Sequence, residues 1–191
     1  MRLLRTAPVD WLVVGLGNPG PRYERTRHNI GFAIADELAR RWELGRTRQR
    51  YRGRLREGTA GAGGPRVAVL EPQTFMNEAG RSVGPARGAY RLELERLLVI
   101  HDEIDLPFGE LRTRLGGGLG GHNGLRSLRE ELGGTGFARV RVGVGRPNST
   151  DPDIVADYVL SGFREPATEV AALVEAAAEV AAAIVSGERE P

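Results

Sequence analysis

Strand-like and helix-like segments alternate along the chain, which predicts an α/β fold. The expected form is a three-layer αβα sandwich on a mixed, mostly parallel twisted sheet. Three observations carry this reading. Short continuous apolar runs at 11–16, 67–70 and 97–100 look like strands buried on both faces. Between them lie stretches with apolar residues at helical spacing, such as Ile30, Ala33, Ile34, Leu38 and Trp42. A glycine-rich loop (Gly116, Gly117, Gly118, Leu119, Gly120, Gly121) opens a further helix, and such loops let a ligand approach bare backbone.

The elements follow in order. Residues 1–10 read as a loose leader, and a single α/β domain is expected over 11–191. The first strand ends in Gly17-Asn18-Pro19-Gly20, a turn sequence. Gly15, Gly17 and Gly20 also fit the spacing GxGxxG. Pro19 and Pro21 interrupt the place where a dinucleotide fingerprint needs a helix N-terminus, and no acidic residue ends a second strand about 20 residues on. A loop, 23–28, leads to a helix over 29–42. Arg48, Arg50, Arg52, Arg54 and Arg56 then recur at every second position. On one strand all five share a face, as a charged edge or a phosphate-facing ribbon. The strand at 66–70 returns after a glycine-rich loop, and Asn77 is placed to cap a helix from about 78 to 90. The run 97–100 is the central strand, 110–114 a short edge strand, 123–132 a helix, and 137–144 an alternating strand with Arg139 and Arg141 on one side. A helix from Asp151 to about Leu160 and a C-terminal amphipathic helix, about 166–186, complete the chain.

Composition narrows the function classes. The 191 residues suit one substantial core. No run of 18 apolar residues exists, so no membrane span is expected, and the N-terminus lacks a signal-peptide pattern. Cysteine is absent, which excludes disulfides and thiol catalysis and fits a cytoplasmic protein. All 27 basic residues are arginine. Residues 151–191 hold nine acids and two arginines, a net of −7, whereas residues 1–150 hold 25 arginines against 16 acids, about +9. That asymmetry points the first three quarters of the chain toward a polyanion.

The polar residues gather at strand ends. The central strand delivers His101, Asp102, Glu103 and Asp105 to its carboxyl end, where open α/β sheets bind ligands. Asn18 and His28 follow the first strand, Asn77 follows the third segment, and His122 and Asn123 end the glycine loop. If these ends converge, the site holds a carboxylate, imidazoles and three carboxamides. No GxSxG elbow or Ser-x-x-Lys supplies a nucleophile. A His–Asp pair without serine suggests water as the nucleophile, with His28 as base and Asp102 fixing its tautomer. Carboxamides position a carbonyl or stabilise an oxyanion without bringing charge. A metal held by His28, Asp102 and His122 is the alternative, which no HxxxH or carboxylate cluster supports.

These residues resemble a known family. Gly15-Leu-Gly-Asn-Pro-Gly20, Tyr23 with Thr26-Arg-His-Asn-Ile-Gly-Phe32, Phe75-Met-Asn77 with Gly80, His101-Asp-Glu-Ile-Asp-Leu-Pro107 and Gly120-Gly-His-Asn-Gly-Leu-Arg-Ser127 are similar, in order, to signatures of bacterial-type peptidyl-tRNA hydrolases. The resemblance covers about residues 11–186. It implies a monomeric, cytoplasmic, metal-free and cofactor-free hydrolase that cuts the ester between a peptidyl group and the 3′ end of tRNA. It also implies that His28 is the base, Asp102 its partner, that Asn18 and Asn77 hold the peptide backbone, and that Asn123 helps place the water. Tyr23, Phe75 and Met76 would line the peptide site, with His122 close by. Arg114 and Arg141 would clamp the tRNA 5′ phosphate at the acceptor stem. The departures are Glu78-Ala79 where the family usually has serine before Gly80, the extra leader, and an acidic last helix. A non-catalytic RNA-binding protein of the splicing-factor kind on the same fold is the alternative reading.

Overall fold

The computed structural model describes residues 7–191. A seven-stranded mixed sheet forms its middle layer. The strands are β1 (Trp11–Gly15), β2 (Arg48–Arg50), β3 (Gly53–Thr59), β4 (Arg66–Pro72), β5 (Leu97–Glu103), β6 (Leu111–Leu115) and β7 (Ala138–Gly143). Their order across the sheet is β2-β3-β4-β1-β5-β7-β6. The four inner strands β4, β1, β5 and β7 run parallel, and β2, β3 and β6 add antiparallel edges. Every residue of β1 and β5 is buried, as expected for parallel strands covered on both faces.

Helices α1 (Ile30–Arg41) and α5 (Ala167–Ser186) cover one face, where Val13, Val69, Ile100 and Val140 meet Ile34, Leu38, Ala177 and Ala181. Helices α2 (Gly80–Tyr90) and α3 (Asn123–Leu132) cover the other, where Leu12, Val14, Leu70 and Val99 meet Val83, Leu125 and Leu128. A short helix, α4 (Pro152–Val159), stands apart with Val159 as its one buried residue. Asp151 caps it through a 2.9 Å bond from the Asp153 amide. Among the described residues no helix is long and apolar enough to cross a membrane.

The structure corrects several expectations. The alternating arginines do not lie on one strand. Tyr51 and Arg52 both take left-handed φ, 53° and 52°, and fold the segment into a tight hairpin. The register pairs Arg48 with Leu55 and Arg50 with Gly53, so Arg48 and Arg50 lie on the face opposite Arg54 and Arg56. Arg54 and Arg56 serve acids instead of presenting a phosphate ribbon. Arg54 meets the buried Glu71 at 2.8 Å, and both arginines pair with Asp36 of α1. Asn77 caps no helix, because it sits in a 3-10 turn, Met76–Glu78, and α2 begins three residues later with no side-chain cap. Of the expected leader, residues 1–6 lie outside the described residues. Val9 is buried and Asp10 accepts the Arg66 amide at 2.7 Å, so this part is tied to β4 rather than loose.

One close approach sets the frame for the site. Gly31, in the first turn of α1, lies against backbone: an added Cβ would stand 2.5 Å from the carbonyl oxygens of both Ile100 and Leu16. Neither neighbour is a side chain that can turn aside. The helix therefore sits directly on β1 and β5, and the turn ahead of it reaches the end of β5. Gly31→Ala is expected to cost about 1–3 kcal/mol, the scale of an overpacked core. A urea unfolding midpoint equal to the wild type's would show that the contact is not tight.

Candidate active site

Asp102, at the end of β5, is 2% exposed and is the centre of the polar cluster. Its carboxylate accepts two imidazole bonds. His28 Nδ1 donates at 2.9 Å and 3.0 Å to the two oxygens, and His122 Nε2 donates at 3.0 Å to Oδ1. Burial opposes a charge at Asp102, but the two imidazoles outweigh it and hold the carboxyl well below the usual carboxylate range. The remaining histidine, His101, donates from Nδ1 to the Asp102 backbone oxygen at 2.7 Å and packs edge-on against the His122 ring. All three histidines of the chain thus meet at one aspartate. Burial, reinforced by His122, pushes His101 down to about 3, so it is neutral.

Local structure fixes the tautomers. His122 is the N-cap of α3, and its Nδ1 accepts the amides of Gly124 at 3.1 Å and Leu125 at 3.4 Å. Nδ1 is then unprotonated, so Nε2 carries the hydrogen given to Asp102. For His28, burial disfavours the charged ring, yet the charge and hydrogen bond of Asp102 prevail and raise its pKa above the ordinary value. With Nδ1 on Asp102, His28 Nε2 has no partner among the described residues.

His28 stands in a 3-10 turn, Arg27–Asn29, in which neighbouring residues have separate anchors. Thr26 bridges to Gly162. The Arg27 amide donates to Ser161 O at 3.0 Å. His28 reaches Asp102, and Asn29 reaches Asn18. The Asn29 carboxamide accepts the Asn18 amide at 2.9 Å and donates to the Asn18 carbonyl at 2.9 Å. Asn18 in turn accepts the Met76 amide on Oδ1 at 2.7 Å. Its Nδ2 is therefore the end left for a ligand.

A cleft of about 640 Å³ opens over these groups. Asn18, His28, Asp102 and His122 line it, and Asn77 and Asn123 line it too, exposed and with no side-chain hydrogen bonds among the described residues. Phe75, 55% exposed, and the buried Met76 form one apolar part of its lining, and Val155, Ala156 and Val159 of α4, with Leu160 just after it, form an apolar wall. The three carboxamides, the imidazole and the carboxylate that follow the strand ends in sequence thus line one cleft. Tyr23 does not line the cleft. Its carbonyl accepts the Thr26 amide and hydroxyl. Sequence reasoning missed the roles of Asn29 and His101. Asn29 sits 11 residues from Asn18, and nothing in spacing alone announces that pairing.

Neither arginine expected at the 5′ phosphate lines the cleft. Arg141 donates to Glu103 at 3.1 Å, and Glu103 borders the cleft. Arg114 is exposed, its guanidinium lying over Gly117. Arg139 between them is buried and donates to the Gly116 carbonyl. Burial, with Arg141 and Arg114 close by, pushes the Arg139 pKa down, a sign of concentrated positive charge. Metal-ligating atoms of His28, Asp102 and His122 lie within 4.8 Å of one another. His122 fits such a role poorly, because capping α3 through Nδ1 leaves Nε2 protonated.

A family model described as peptidyl-tRNA hydrolase matches residues 12–190. The peptidyl-tRNA hydrolase of Geobacter metallireducens is 51% identical over 152 residues, 80% of this chain and 76% of that protein. That of Afipia carboxidovorans is 48% identical over 177 residues, 92% of this chain and 86% of its own. A crystal structure of the peptidyl-tRNA hydrolase from Acinetobacter baumannii superposes with a TM-score of 0.81 at 34% identity, covering 96% of this chain and 92% of that one. Sequence and architecture agree along nearly the whole length, and the chain belongs to the peptidyl-tRNA hydrolase family.

Proposed function

We propose that the protein hydrolyses the ester between an N-blocked aminoacyl or peptidyl group and the 3′ end of tRNA, returning the tRNA for reuse. The reading takes residues 11–191 as one catalytic domain, working as a cytoplasmic monomer without metal. The observation that carries it is the His28–Asp102 pair at 2.9 Å through Nδ1, on a histidine that lines the cleft.

Water bound at Nε2 attacks the ester carbonyl, and its proton passes to His28. Asp102 stabilises the imidazolium that forms. Asn18 Nδ2, Asn77 and Asn123 hold the peptide backbone and the developing oxyanion, and being neutral they do not favour one side chain over another. As the tetrahedral intermediate collapses, the carbonyl carbon–oxygen bond to the ribose breaks. The 3′ oxygen leaves with the proton held at Nε2. An ester needs less assistance than an amide, which fits a site with no covalent nucleophile. Arg114 and Arg141 hold the tRNA by phosphate, a contact without sequence preference.

His28→Ala should fold and lose at least ~2–3 orders of magnitude in turnover of N-acetyl-aminoacyl-tRNA, the usual scale for a general base. The assay includes EDTA; cleavage abolished by the chelator would instead indicate a metal, and binding without cleavage by the wild type an RNA-binding protein. The base must be neutral to accept a proton. With its pKa raised, kcat/KM should rise with pH through a midpoint above ~6.5 and then level off. In Asp102→Asn the lowering by burial is unopposed, so the residual activity should have its midpoint below the wild type's. An unmoved midpoint would separate the pair electrostatically. Arg141→Ala should weaken tRNA binding and reduce the slope of log affinity against log salt by about 1, the signature of one lost phosphate contact.

A further inference from the structure

We propose that Arg27 is a positioning residue that sets α4, and with it the apolar wall of the cleft, against the catalytic base. The proposal rests on the hydrolase reading and assigns that site a determinant of acyl-group preference.

Arg27 is 1% exposed, yet no carboxylate pairs with it among the described residues. Its guanidinium instead gathers the end of α4. Nη1 donates to Ser161 Oγ at 2.6 Å, to Tyr158 O at 3.2 Å and to Ser161 O at 3.4 Å. Its carbon lies 4.0 Å from the Tyr158 ring centroid and 5.6 Å from that of Phe163. The carbonyls at a helix C-terminus carry partial negative charge, so they and the ring faces replace the missing counter-ion. The replacement is incomplete, since Arg27 Nε has no hydrogen-bond partner among the described residues. A buried guanidinium left partly unsatisfied is a poor device for stability alone, because an apolar side chain of similar volume often does as well or better.

What the arrangement supplies is a fixed distance. α4 buries only Val159, so hydrophobic packing holds it weakly. Its remaining anchors are polar: the guanidinium of Arg27, the Arg27 amide to Ser161 O at 3.0 Å, and Tyr158 Oη to Val144 O at 2.7 Å. The next residue in the chain is His28, locked to Asp102. The gap between the base and the wall of Val155, Ala156, Val159 and Leu160 is therefore set through one side chain and its immediate neighbour. A substrate side chain lying against that wall senses where Arg27 puts it. Glycine, with no side chain, does not.

The test compares N-acetylphenylalanyl-tRNA with N-acetylglycyl-tRNA as substrates of wild type, Arg27→Met, Arg27→Lys and Tyr158→Leu. For Arg27→Met, KM for the phenylalanyl ester should rise about tenfold, the scale of one desolvated cation–π or charged hydrogen bond. KM for the glycyl ester should change less than about twofold, and the pH midpoint should stay in place. Arg27→Lys should recover part of the loss, since it keeps the charge but not the flat stacking face. Tyr158→Leu removes one ring face and the Oη anchor but leaves the Arg27 guanidinium with its hydrogen bonds to Tyr158 O and Ser161, so it should reproduce the selective KM rise, which covers the case in which Arg27→Met fails to fold. Amide exchange at 153–160 should quicken in Arg27→Met and Tyr158→Leu while exchange in β5 stays unchanged. Equal losses for the two esters, or a shifted pH midpoint at constant KM, would overturn the proposal. A wild type that cleaves neither ester refutes the hydrolase reading, and unchanged exchange in α4 refutes the clamp by itself.

Discussion

The site is organised by a buried negative charge that must be paid for locally. Asp102 is 2% exposed at the end of the central strand, and an isolated carboxylate there would not stay ionised. Two imidazole N–H groups satisfy it. Each comes from a different face of the sheet. His28 precedes α1, and His122 begins α3. One carboxylate therefore joins both helical layers to β5. His122 satisfies two needs with one ring, the amides of α3 on Nδ1 and the aspartate on Nε2. Its tautomer is fixed by backbone geometry before any substrate arrives.

Much of this was legible in the sequence, for a reason that can be named. Parallel strands buried on both faces show as continuous apolar runs, and the polar residues that follow each run lie at one edge of the sheet. That rule alone brings Asn18, His28, Asp102 and Asn123 together. It does not say which atoms touch. The Asn18–Asn29 pairing and the backbone bond of His101 depend on the path of two loops, which no periodicity encodes.

The arginines show the limit of pattern reading. Alternation over 48–56 satisfies the template for one strand, but left-handed backbone at Tyr51 and Arg52 breaks it. Turn chemistry of this kind usually recruits glycine or asparagine, so neither residue signals it. The loss of the single face changes the electrostatic picture. Arg54 and Arg56 are consumed by Glu71 and Asp36, whereas Arg114 is set beside Arg139 and Arg141, more than twenty residues on, by the pairing of β6 with β7. Net charge over the first three quarters of the chain does not say where on the fold the positive charge collects.

The segment from Thr26 to Asn29 ties four consecutive residues to four places: Gly162, the end of α4, Asp102 and Asn18. A substitution at any of them disturbs one tie. An insertion or deletion of a single residue shifts the register of all four together. Length rather than composition is thus the tighter constraint on these four positions, and the chain tolerates a change of reading frame in its contacts least where His28 stands.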